Sequence, residues 1–190
     1  YPPQTDSENG WEKLFAERLS LDNCREYKLE TRIARFHNVY GPQGAYEGGR
    51  EKSPAALCRK IALVKDGGEI EVWGDGKQTR SYCYIDDCVV GIYKLMKSNV
   101  REPINIGSDH AVSITELIDI ISKIAKKTVQ KRYDISKPQG VRDRNSDNTK
   151  IKEYFNWEPS ISLENGFGET YQWIKEQIDA KKSKTVKKRV

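Results

Sequence analysis

The run from Thr31 to Ser53, TRIARFHNVYGPQGAYEGGREKS, constrains this chain more than any other stretch. It opens as a strand, because Thr31, Ile33, Phe36, Val39 and Tyr40 are β-branched or aromatic. Gly41-Pro42 breaks it. A glycine-rich loop from Gly44 to Gly49 leads into Arg50, Glu51 and Lys52, and Ser53-Pro54 reads as the N-cap and first residue of a helix. A strand that ends in such a loop, just ahead of a helix N-terminus, suits an anionic ligand. From this stretch alone, an ordinary strand-loop-helix connection is the simpler reading.

On either side, helical and strand patterns alternate, which predicts an α/β fold. Residues 1–8 read as loop. Gly10 to Arg25 reads as a helix whose apolar face is Trp11, Leu14, Phe15 and Leu19; Asn9 and Lys13 lie four apart on one face. Residues 54–66 predict a helix burying Ala55, Leu57, Cys58, Ile61 and either Leu63 or Val64, with Lys60 on another face and turned toward the loop. Strands are predicted at Glu69–Trp73 and Arg80–Ile85, separated by the turn Gly74-Asp75-Gly76. Asp86 is expected to cap a helix carrying Val89, Ile92, Tyr93 and Met96 inward. Ile104–Ile106 is a brief strand. Ser113 and Glu116 have capping-box spacing ahead of a helix burying Leu117, Ile118, Ile121 and Ile124. Gln130–Tyr133 reads as a strand, residues 137–148 as a polar loop, and Thr149–Phe155 and Leu163–Ala180 as closing helices.

The 190 residues are enough for one substantial core or two small ones. No apolar run is long enough to cross a membrane, and no signal-peptide pattern is present. The chain begins at Tyr1, which suggests a fragment or a processed chain. Cys24, Cys58, Cys83 and Cys88 do not resemble a disulfide framework; reduced intracellular thiols and a cytoplasmic location are expected. Neither His37 nor His110 has metal-ligand spacing to a cysteine pair, and core packing is expected of Cys83 and Cys88. The net charge is +5, but Lys181, Lys182, Lys184, Lys187, Lys188 and Arg189 carry six positive charges beyond Asp179, leaving the body at −1. A solvated, disordered tail over 181–190 is expected, and no basic face for nucleic acid.

Polar groups recur at element ends: Asn38, Arg50, Glu51, Lys52, Gln78, Arg80, Arg142 and Arg144. Loops at strand C-termini are where open α/β sheets bind ligands. Arginine offers a planar fork for phosphate, and a lysine depressed by cationic neighbours serves as a general acid or base. Each of these residues taken singly is also what a solvated surface looks like. Gly41-Pro42-Gln43-Gly44 lacks the G-x-G-x-x-G spacing of a dinucleotide turn, and no other stretch supplies it.

Together, RFHNVYGP, GGREKSPAALCRK, WGDGKQTRSY, INIGSD, VRDRNSDN and TYQWIKEQI resemble the GDP-mannose 3,5-epimerases, within the NAD-dependent epimerase/dehydratase branch of the extended short-chain dehydrogenases. The resemblance implies the carboxy-terminal part of a Rossmann-type fold with its small substrate-binding domain. Residues 1–40 would close the NAD-binding domain, 41–180 would be mainly substrate-binding, and 181–190 would be tail. It implies NAD as cofactor, GDP-mannose as substrate, transient oxidation at C4 with proton exchange at C3 and C5, and a homodimer in the full-length protein. Lys52 matches the family's general acid/base. Asn38, Glu51, Lys60, Gln78, Arg80 and Arg144 match substrate-contacting positions, Arg144 on the diphosphate. Lys13 matches the lysine of the family's Tyr-x-x-x-Lys pair, and Asn9 stands at the tyrosine's position, where it cannot shuttle a proton. The glycine-rich NAD loop and the family's cysteine would precede Tyr1, so the chain alone is expected to be inactive. A non-catalytic nucleotide-sugar-binding protein is the alternative that Asn9 raises.

Overall fold

The computed structural model describes residues 8–187; the loop expected before Glu8 and the last three residues of the expected tail lie outside them. The chain runs α1 (Glu8–Glu26), β1 (Ala34–Phe36), β2 (Val39–Tyr40), α2 (Ser53–Leu63), β3 (Glu69–Trp73), β4 (Thr79–Ser81), β5 (Cys83–Tyr84) and α3 (Ile85–Lys97). It continues β6 (Ile104–Ile106), β7 (Ala111–Ser113), α4 (Ile114–Ala125), β8 (Gln130–Asp134), β9 (Asp143–Arg144), α5 (Thr149–Phe155) and α6 (Leu163–Lys187). Strands β1–β6, β2–β5, β3–β8 and β4–β9 pair in parallel, and β4–β7 antiparallel. The class is the α/β predicted.

The strand expected from Thr31 to Tyr40 is divided at Asn38, whose φ of 44° lies in the left-handed region that Asn tolerates. The division lets the chain change neighbours: the His37 N–H bonds to Ile106 on one side, and the Asn38 carbonyl accepts from Cys83 N on the other. The strand expected over 80–85 is likewise interrupted at Tyr82, and β9 lies inside the stretch read as loop.

Two apolar clusters hold the elements. Leu57, Cys58 and Ile61 of α2 meet Ile70 and Val72 of β3, Leu117, Ile118 and Ile121 of α4, and Phe167 and Ile174 of α6. Each such side chain stabilises the fold by about 1.5–3 kcal/mol on full burial. The end of α2 is held by Lys127, whose ammonium donates to the carbonyls of Ile61 (2.7 Å), Ala62 (3.1 Å) and Val64 (2.6 Å). The second cluster joins Cys83, Cys88, Leu95, Ile104, Ile106, Ile151 and Trp157. Cys83 and Cys88 are core residues, as expected, and burial pushes the Cys83 thiol up to about 12. At α4 the capping box forms in both directions: Ser113 Oγ accepts from Glu116 N, and the Glu116 carboxylate accepts from Ser113 N.

Several expectations are corrected. Helix α3 starts at Ile85 with Tyr84 as N-cap, so Asp86 does not cap it. The face it buries is Asp87, Cys88, Gly91 and Leu95, leaving Val89, Tyr93 and Met96 more than half exposed. Two contacts set that rotation. The Asp87 carboxylate accepts from Ser160 N and Oγ and Ile161 N, and Gly91 packs where a side chain would strike Ile106 and Trp157. Helix α2 starts one residue early, with Lys52 as N-cap. Helix α6 runs on to Lys187, so residues 181–187 of the expected disordered tail are helical. On α1 the stripe Trp11, Phe15 and Leu19 is at least half exposed, and only Glu17 is buried, paired with Arg35 (2.6 Å).

Candidate functional site

The site is built around the turn between β1 and β2. The left-handed backbone at Asn38 aims its amide at two later segments: Nδ2 donates to the Ser81 carbonyl at 2.8 Å and to the Arg144 carbonyl at 3.5 Å. Those segments are β4 and β9, whose register pairs Arg80 with Arg144. Three segments distant in sequence thus converge, and they bring two arginines into register on adjacent strands, residues whose planar forks suit a phosphate. Arg80 also holds the loop that brings Arg144 there, donating to the carbonyls of Thr79 (2.6 Å), Val141 (2.5 Å) and Arg142 (3.3 Å). Arg142 belongs to the scaffold, since its guanidinium grips both oxygens of Asp75 at 2.9 and 3.1 Å.

Beyond the turn, Val39, Tyr40 and Gly41 line a cavity of about 260 Å³, with Arg50, Lys52, Ile85 and Thr170 around it. Gly41 is needed there, because a Cβ would sit 2.6 Å from Ile85. Lys52 is exposed at the N-cap of α2, with extended backbone (φ −86°, ψ 164°) and Pro54 fixing the first helical turn behind it. Ser53 Oγ meets Tyr82 Oη at 3.2 Å, tying the helix start to the β4–β5 segment. Glu51 supports the loop. Its carboxylate accepts from Gly49 N (2.7 Å) and pairs with Arg59 (3.1 Å). Backbone N–H donors, its own and that of Gly49, together with Arg59, hold this carboxyl below the usual range.

Lys60 and Gln78 go elsewhere. The Lys60 ammonium donates to the Glu71 carbonyl (2.8 Å) and not toward the loop, and burial lowers its pKa. Gln78 is buried, and its Nε2 donates to the Trp73 carbonyl (3.2 Å). Both brace β3. Gln78 Oε1 is buried without a hydrogen-bond partner among the described residues, which leaves an acceptor available beside β4.

Asn9 and Lys13 are both exposed on α1, Lys13 against Glu12 at 3.4 Å. Lys13 lines a groove of about 820 Å³ whose other wall is Arg32–His37, so the groove and the Lys52 cavity are lined by chain on the two sides of Asn38, the β1 side and the β2 side. The described residues supply no G-x-G-x-x-G turn for the pyrophosphate. His37 lies in this groove. Burial lowers its pKa; a hydrogen bond to the Asn105 side chain opposes that, and the charges of Arg144 and Arg35 add to it.

Sequence reasoning missed Arg59, Ser81, Ser146 and Asn148. Ser146 N donates to Ser81 Oγ (3.0 Å), Ser146 Oγ donates to Asn148 Oδ1 (2.6 Å), and Asn148 Nδ2 donates to the Gly107 carbonyl (2.8 Å). The signal was the polar run RNSDN, in which buried Ser and Asn anchor the loop that presents Arg144. Among the described residues, no group of three or more His, Cys, Asp or Glu is placed to hold a metal ion, and no helix is long and apolar enough to cross a membrane.

The family model described as NAD dependent epimerase/dehydratase family matches residues 1–107. GDP-mannose 3,5-epimerase 1 of Oryza sativa subsp. indica is 47% identical over 186 residues, 98% of this chain and 48% of that protein. The chain therefore spans about half the length of the curated relatives it matches. The fold is similar to that of UDP-glucose 4-epimerase from Thermotoga maritima, solved with UDP-glucose: TM-score 0.85, 29% identity, 93% of this chain and 56% of that one. It is also similar to UDP-glucuronic acid 4-epimerase from Bacillus cereus, solved with UDP-glucuronic acid and NAD: TM-score 0.77, 27% identity, 92% of this chain and 57% of that one. The architecture is thus the Rossmann-type one of these enzymes.

Proposed function

This chain belongs to the NAD dependent epimerase/dehydratase family, and we propose that it forms the substrate-binding half of a nucleotide-sugar epimerase acting on GDP-mannose at C3 and C5. The observation that carries this reading is the position of Lys52. It stands at the N-cap of α2 on a cavity whose wall starts at Val39, next to the Asn38 amide that touches the β4 and β9 backbones. A hexose in the cavity and a diphosphate on Arg80 and Arg144 are then two parts of one ligand. The 47% identity to a GDP-mannose 3,5-epimerase supports GDP-mannose over other nucleotide sugars.

In this reading the arginine pair binds the diphosphate, Asn38 fixes the strands that carry it, and Lys52 gives and takes protons at the sugar carbons facing it. Glu51 keeps the Lys52 loop in place through Gly49 and Arg59. Lys13 would hold the ribose of NAD, which when bound supplies hydride exchange at C4. The exposed stripe Trp11, Phe15 and Leu19 supports pairing of two copies through α1. Four free thiols fit a cytoplasmic setting.

The test is calorimetric titration of the chain with GDP-mannose, GDP and UDP-glucose, repeated with Arg144→Ala. Saturable binding of GDP-mannose, weakened about tenfold or more in the variant, is expected for a charge-assisted phosphate contact. Equal affinity in the variant would remove the diphosphate from Arg144, and tighter binding of UDP-glucose would remove GDP-mannose as the substrate. A second reading, a nucleotide-sugar-binding protein without turnover, is favoured by Asn9. Asn cannot ionise, and it stands one helical turn before Lys13. Turnover of GDP-mannose by the chain with Asn9 in place, joined to its cofactor half, would overturn that second reading.

A further inference from the structure

The loop that delivers Arg50, Glu51 and Lys52 has one buried side chain. From Gly44 to Arg50 every residue is exposed except Tyr46, which is 9% exposed. Its ring meets Trp173 of α6 edge-on, with centroids 5.6 Å apart and planes at 86°. Lys181, eight residues further along the same helix, places its ammonium 5.0 Å from the Tyr46 ring centroid and forms an ion pair with Glu47. Eight residues are about 12 Å of helix, so one rigid element grips two consecutive loop residues from two places. The next residues, Gly48 and Gly49, have φ of 89° and 82°, and a Cβ on either would meet nothing within 4 Å. The loop therefore has its freest backbone just after the grip and just before the Gly49 N–H that holds Glu51.

We propose that Lys181 is a positioning residue: with Trp173 it latches Tyr46 and Glu47 onto α6 and so sets the placement of Arg50, Glu51 and Lys52 at the cavity. This gives the first of the basic residues beyond Asp179 a contact of its own. A cation over an aromatic face attracts its ring quadrupole, and the same ammonium meets a carboxylate, so ring and ion pair share one charge. Helix α6 already contributes Thr170 to the cavity wall. The latch thereby couples wall and loop through a single element. The consequence for turnover rests on the reading of Lys52 given above; the latch itself does not.

The experiment is amide hydrogen exchange on the whole chain, comparing wild type with Lys181→Glu, Lys181→Arg and the swap Glu47→Lys/Lys181→Glu, each also titrated with GDP-mannose. Lys181→Glu is expected to speed exchange at residues 46–51 about fivefold, the loss of one cation–π contact and one exposed ion pair, with the amides of α4 unchanged. Lys181→Arg is expected to keep wild-type protection, and the swap to recover part of it. Unchanged exchange in Lys181→Glu, or faster exchange spread over α4 and α6 as well, would overturn the latch. Exchange that follows the expected pattern in a chain that binds no GDP-mannose would sustain the latch and sink the proposed substrate. Weaker GDP-mannose binding in Lys181→Glu, restored in Lys181→Arg, would support both.

Discussion

Arg80 and Arg144 are register partners on the parallel strands β4 and β9, and Arg80 is tied into the scaffold by three backbone carbonyls, those of Thr79, Val141 and Arg142. Arg144 is exposed at the end of its two-residue strand. Arg80→Lys should loosen residues 141–144, because an ammonium on a flexible stem cannot reproduce a planar fork spread over several carbonyls. The expected result is a several-fold weaker affinity for GDP-mannose. Arg144→Ala should also flatten the salt dependence of that affinity between about 50 and about 200 mM salt, since a phosphate contact is what salt screens. Calorimetric titrations of both variants at the two salt concentrations check this.

Asp87 is 5% exposed and accepts from Ser160 N, Ser160 Oγ and Ile161 N at 2.9–3.1 Å. Asp87→Ala leaves those donors without their acceptor beside a packed helix and should cost about 2–4 kcal/mol. Asp87→Asn keeps one acceptor oxygen and should cost less. Urea unfolding of the two variants gives the difference.

His37 makes stability depend on pH. Burial, the largest cause, lowers its pKa below 6.5, so the folded chain resists protonating it while the unfolded chain does not. The unfolded state binds more protons as pH falls through 6.5, so this contribution is fully present above that value and is lost toward and through the lower folded pKa. His37→Gln should flatten the fall in thermal midpoint on acidification from neutral pH. An unchanged slope would show that His37 is not the group responsible.

Gly166 sits against the aromatic cluster behind the cavity. A Cβ there would lie 2.3 Å from Tyr40 Oη and 2.8 Å from Tyr84 Cδ2, and Tyr40 is itself stacked on Phe167 at 4.2 Å. Gly166→Ala should destabilise the chain by about 1–3 kcal/mol through overpacking. Because Tyr40 lines the cavity, it should also weaken GDP-mannose binding. The thermal midpoint and a titration read the two effects separately.

The features legible in the sequence are those whose partners lie within a turn or a strand of each other. Ser113 and Glu116 cap α4 because their spacing is the geometry of a helix start. The side chains of α2 and α4 that fill the first cluster recur at helical spacing. Lys52 at the head of a helix was readable to within one residue, because Pro54 fixes where the helix begins. Tertiary structure decided what depends on distant partners. Helix α3 has two apolar faces, and the contacts of Asp87 with Ser160 and of Gly91 with Trp157 chose the one holding Cys88 and Leu95. The pairing of Arg80 with Arg144, the attachment of Lys60 to Glu71 and of Gln78 to Trp73, and the grip of Lys181 on Tyr46 join segments through backbone carbonyls or ring faces that no residue type announces. Local spacing determines which elements form, since a helix or strand closes its own hydrogen bonds or exposes one face for pairing. The site depends on which elements become neighbours, because its cations act together only when packing holds them side by side.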